Sequence, residues 1–171
     1  MARHPVSRLL TENVQPSAGR GGWHGGPTPT GAVRGVRAAQ ARWAPARGRK
    51  SIWQLTLHAA YWKYAVRRLL ESALDTDSSD ATSRFPRSPS NWPTVPATAG
   101  EREWRADVAL LRDEHQRLIE VIAQVPVARY GRKPPRGKRW TLGELIVGIA
   151  QHDAYHAGQI QMLKRLYDVA R

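Results

Sequence analysis

The chain is 171 residues long and 41% hydrophobic, with seven Trp, no Cys and a formal net charge of +13. That length supports one domain with a core of its own, and the hydrophobic content excludes wholesale disorder. The lack of cysteine excludes a disulfide framework, a thiolate metal site and a cysteine nucleophile, so any thiol chemistry requires a small-molecule thiol.

No apolar run approaches the roughly 18 residues of a membrane span, and the N-terminus lacks the apolar core of a secretory signal. The expected location is therefore the cytoplasm, with no membrane partner. Residues 1–50 hold nine Lys and Arg against the single acid Glu12, whereas residues 51–171 hold eighteen against thirteen acids. A basic arm without a helix-turn-helix, zinc-finger or RNA-binding signature makes a poor nucleic-acid reader, so nucleic-acid binding stands only as an alternative reading.

Residues 1–22 read as a poorly ordered basic segment containing the short hydrophobic piece Val6–Val14, and residues 23–171 as the folded domain. Gly and Pro crowd residues 15–31 and predict loop. A first bundle helix is expected from about Pro29 to Ala41, with Val33, Val36, Arg37 and Gln40 on a thin inner face. Ala44–Lys50 then breaks the chain. Ser51 and Gln54 make a capping box, and Leu55, His58, Trp62, Ala65 or Val66, and Leu69 give the next helix an apolar stripe from about Ile52 to Leu74, with Arg67, Arg68 and Glu71 toward solvent.

Residues 75–100 are too long for a hairpin between antiparallel helices and predict a crossover that lets the helices on either side run parallel. Within it, Phe85 and Trp92 lie among prolines and predict an ordered cover. Thr98 and Glu101 form a second capping box, followed by the stripe Trp104, Val108, Leu111, His115, Leu118 and Ile122. After the basic loop Gly131–Arg139, Thr141 and Glu144 cap a last helix with the stripe Leu145, Ile149, His152, His156, Ile160 and Leu163, reaching about Val169. The expected fold is all-α, a four-helix bundle with one long crossover between its second and third helices.

His152 and His156 stand four residues apart, one turn above each other on a stripe otherwise made of Leu and Ile. Unsatisfied, each buried ring would cost on the order of 1–3 kcal/mol. A metal removes that penalty, and three histidine nitrogens with an open fourth position are a common zinc or nickel set. His58 is the favoured third ligand and His115 its rival. If the second and third helices run parallel, the two differ in depth by roughly 12 Å. His24 belongs to a Gly-rich loop and reads as a solvated loop histidine, with a place near the site mouth as the alternative. Asp153 and Gln159 flank the pair and are candidates to orient the ligand rings, with solvent exposure or a loop salt bridge the alternative for Asp153. Trp62, one turn after His58, reads as core, with a substrate wall as the alternative.

The run Ser51-Ile52-Trp53-Gln54-Leu55-Thr56-Leu57-His58-Ala59-Ala60-Tyr61-Trp62, taken with His152-Asp153-Ala154-Tyr155-His156-Ala157-Gly158-Gln159-Ile160, resembles the DinB-like family of metal-binding four-helix bundles. The likeness covers about residues 20–171, including Trp23-His24-Gly25 and Asn91-Trp92-Pro93. The resemblance implies an up-down-down-up bundle, often a homodimer, with zinc or nickel held by His58, His152 and His156. It also implies the chemistry of the family's characterised members, thiol-dependent S-transferases and a mycothiol-dependent isomerase, in which a low-molecular-weight thiol attacks an electrophile. A metal-binding bundle without catalysis is the alternative. Pro29, Gly31 and Gly35 depart from the regular first helix that the resemblance implies.

Overall fold

The structure is a computed structural model that describes residues 4–16, 25–74, 84–137 and 139–170. Among these residues every regular element is helical: α1 (Pro5–Val14), α2 (Pro29–Ala32), α3 (Ala38–Arg42), α4 (Ile52–Glu71), α5 (Glu101–Gln124), a 3₁₀ turn at Val127–Arg129, and α6 (Leu142–Val169). No helix among the described residues is long and apolar enough to cross a membrane.

The segment expected to be poorly ordered contains α1, which starts at Pro5 with the His4 ring accepting the Val6 N–H and buries Val14 against α5 and α6. The first bundle helix is broken in two. Thr28 caps α2, whose four residues end before Gly35 takes a φ of +76°, a left-handed conformation that no helix continues through. The chain restarts as α3, whose Ala38 N–H donates to Glu101 Oε2 at 2.9 Å. With Glu101 so engaged, the expected Thr98 box does not form. Gly100 caps α5 instead, and its N–H donates to Glu103 at 2.8 Å. The Ser51–Gln54 and Thr141–Glu144 boxes form as the spacing predicts.

The partners of α4 set its direction relative to its neighbours. Trp53 near its start donates to Asp107 of α5 at 2.7 Å, while Arg67 near its end reaches Glu114 at 3.0 Å, so α4 and α5 pair in the same order. Against α6 the order reverses: Ile52 and Leu55 at the start of α4 cluster with Ile160 and Leu163, and Val66 and Leu70 near its end with Leu142 and Ile146, which sets His58 beside His152 and His156 and Lys63 beside Asp153. The crossover is fastened where it is described: Phe85 is buried, and Arg87 donates to Asp107 at 2.7 Å.

Burial departs from the sequence stripe on α4. Arg67, expected on the solvent side, is 2% exposed and bonded to Glu114 and Glu71, whereas Trp62, expected in the core, is 38% exposed. The inner face is turned so that Lys63, fully buried, and Arg67 point into the bundle. They meet Asp153 and Glu114, and these ion pairs form a polar layer between two apolar clusters. One cluster includes Trp53, Trp104, Leu111 and Ile160, the other Leu70, Leu118, Ile122 and Ile146.

A buried ion pair contributes little net stability, but removal of one partner strands the other charge at a cost of about 3–5 kcal/mol. Lys63→Met should lower the urea-unfolding free energy by about that amount, and the double variant Lys63→Met/Asp153→Leu should recover most of it. A loss below about 1 kcal/mol in the single variant would show that the pair does not hold the layer together.

Candidate metal centre

Two helices and the crossover build the histidine cluster. His58 projects from the second turn of α4 and the pair from the middle of α6. The Nε2 atoms of His58 and His152 lie 3.2 Å apart, and those of His152 and His156 lie 3.1 Å apart. One ligand atom from each of the three lies within 4.8 Å of the others. Nitrogens around a tetrahedral zinc at 2.0–2.1 Å stand about 3.3–3.4 Å from one another, so these separations fit one ion.

The outer ring atoms explain why the Nε2 atoms converge. His58 Nδ1 is 2.7 Å from the carbonyl oxygen of Asn91, and His156 Nδ1 is 2.7 Å from Gln159 Oε1. Each contact places the ring proton on Nδ1 and leaves the Nε2 lone pair facing the cluster. His152 stands between these two lone pairs, and its own Nδ1 is buried without a partner. A single Nε2–H on His152 can satisfy one neighbour only. A cation satisfies all three.

Burial and neighbouring charge favour the neutral, ligand-competent rings. Desolvation lowers the pKa values of His58 and His156, and it acts with the two adjacent imidazoles and Lys63 to lower that of His152 to about 3. Trp92 stacks on His58 with ring centroids 3.7 Å apart and planes inclined by 8°, and the Lys50 ammonium lies 4.6 Å from the Trp92 ring. Trp62 is edge-on to His58 at 6.3 Å and tilted against His152 at 5.9 Å. The Asn91-Trp92 stretch thus orients His58 twice, through a carbonyl and through a stacked ring.

His58, and not His115, joins the pair. His115 is buried with an unpartnered Nδ1, and its pKa falls to about 4, first through desolvation and then through the Lys63 ammonium. Of the two flanking candidates, Gln159 orients a ligand, while Asp153 is buried against Lys63 and its pKa is raised by desolvation. His24 lies outside the described residues. The buried polar residues Lys63, Asp107 and Glu114 carried no sequence signal beyond an inward helical position, because charge alone argues for solvent.

The chain matches the family model described as the DinB superfamily over residues 30–160. It belongs to the DinB superfamily. No curated protein and no solved structure matches it. The match contains all three clustered histidines and the crossover that orients His58, while α1 lies ahead of it.

His115 also gives the fold an acid sensitivity whose sign is fixed. Its folded pKa lies below the ordinary 6.5, so the unfolded chain binds the proton more readily, and stability present above pH 6.5 is lost as pH falls toward about 4. Replacement by Phe should make the decline of unfolding free energy over that window shallower by close to one proton, as read from denaturation at several pH values. An unchanged slope would mean that this ring is not held neutral by the fold.

Proposed function

We propose that the protein is a divalent-metal-binding member of its superfamily, with zinc or nickel held by the Nε2 atoms of His58, His152 and His156, and that it acts as a metal-dependent small-thiol S-transferase on electrophiles. The observation that carries the metal assignment is the convergence of three imidazole Nε2 atoms, two of them freed as acceptors by the contacts of their Nδ1 atoms with Asn91 and Gln159. A bound divalent ion supplies a Lewis acid that keeps a coordinated thiol ionised near neutral pH.

The chain's own contribution is to hold the three rings, keep them neutral and leave a fourth position for a ligand. The nucleophile has to come from outside, because the chain has no cysteine. In this reading α2 and α3 together stand as the first helix of an up-down-down-up bundle, and the protein works as a cytoplasmic homodimer. A binding role without catalysis is the second reading, favoured by the cluster's having, among the described residues, no carboxylate placed to serve as general base, since Asp153 is engaged by Lys63.

Elemental analysis of untagged protein should find about one zinc or nickel per chain. His156→Ala should lose it with most helix content retained, His115→Ala should keep it, and Gln159→Ala should weaken affinity by about 10–100-fold. Stoichiometric metal in His156→Ala would overturn the ligand set. The substitution of chloride in 1-chloro-2,4-dinitrobenzene by a small thiol should run above its uncatalysed rate only with both ion and protein present; metal-loaded protein that never accelerates reaction of thiols with electrophiles would favour the binding role.

A further inference from the structure

An apolar groove of about 730 Å³ runs alongside the histidine cluster and shares His152 with it. Its walls come from Val6 and Leu10 of α1, Trp62 of α4, Trp140 before α6, and α6 itself. Tyr130 also lines it, and the Tyr130 hydroxyl donates to Ser7 Oγ at 2.8 Å, fastening α1 alongside. The wall formed by α1 lies outside the family match.

Gly148 lines the same groove from the second turn of α6, a helix interior where glycine is less favourable than alanine. Its backbone has no left-handed φ, and a Cβ built there meets nothing within 4 Å, so neither conformation nor packing requires the missing side chain. A longer side chain at this position would take up groove space.

We infer that this groove binds the apolar, uncharged body of a small molecule whose polar end meets His152, so that the substrate class is an aryl or alkyl electrophile rather than a charged metabolite. The volume is that of pockets for small organic ligands, and Trp62 and Trp140 supply aromatic faces. Glu144 is the one charged side chain among the described lining residues, which leaves no cation to recognise an anionic substrate. Trp62 touches both sites, lining the groove and packing on the His58 and His152 rings, so a molecule lying along it is led to the cluster. The polar end of the proposal rests on the metal reading; the apolar body does not.

The neutral fluorophore N-phenyl-1-naphthylamine tests the groove by itself. The full chain should bind it saturably at one per monomer, with or without metal and equally in His156→Ala. Gly148→Leu, which fills the groove, and Val147→Lys, which puts a charge in its wall, should each weaken binding at least tenfold with unchanged circular dichroism. Gly148→Ala should raise the melting temperature, which shows that the helix tolerates the Cβ. No saturable binding, or tight binding in Gly148→Leu, would overturn the proposal, as would a sedimenting dimer that both groove variants dissociate, because the face would then be an interface between copies. Adding 4-phenylbenzohydroxamate separates the two readings. Metal-strengthened hydroxamate binding that is lost in Gly148→Leu supports both, while naphthylamine binding together with hydroxamate binding that is indifferent to metal leaves the groove standing and sinks the metal centre.

Discussion

The Lys63 ammonium is buried without any solvent contact, and the Asp153 carboxylate across the helix interface answers its charge. Neither group tolerates the interior alone, because desolvating a single charge costs several kcal/mol. The arrangement of α4 against α6 must therefore keep the two together, and the rest of the core is disposed around that requirement. Lys63 stands five residues after His58, and Asp153 stands between His152 and His156. A pairing that fixes Lys63 on Asp153 also fixes the depth and rotation at which His58 meets the other two rings. One residue of slip would turn α6 by about 100° and carry the histidine pair away from α4.

Arg67 and Glu114 do the same between α4 and α5, and Asp107 takes bonds from both Trp53 and Arg87, which ties the crossover to the bundle. The polar layer thus divides the core without weakening its definition. Hydrophobic burial on either side supplies the driving force, and the ion pairs restrict how the helices can be seated. The crossover completes the site from outside, placing the Asn91 carbonyl and the Trp92 ring on His58.

Much of this was legible in the residues. The stripe on α6 and its Thr141 cap, the stripe on α5, the Ser51 cap of α4 and the three histidines all follow from three- and four-residue periodicity and capping chemistry. The choice of His58 over His115 followed from depth along helices expected to run parallel. What escaped was the face of α4. Its apolar residues are numerous enough that two rotations fit the pattern, and the rule that arginine and lysine seek water selected the one that exposes Arg67 and buries Trp62. Their acidic partners are 47 and 90 positions away, a separation that no local pattern encodes. The break between α2 and α3 was signalled by Gly35, but the expectation of one continuous helix overrode it. The groove escaped as well, because it is assembled from α1, α4 and α6 and has no signature in any one of them.

The metal centre depends on the convergence of three Nε2 atoms, with the lone pairs of His58 and His156 turned toward His152. Long-range nitrogen–proton NMR of the histidine rings in ¹⁵N-labelled protein, recorded with and without zinc, reads that arrangement directly. His58 and His156 should carry their protons on Nδ1 in the metal-free protein, and zinc should shift the Nε2 resonances of all three rings together. Protons on Nε2 of His58 and His156, with ring spectra indifferent to zinc, would contradict it and leave the cluster a hydrogen-bonded part of the core.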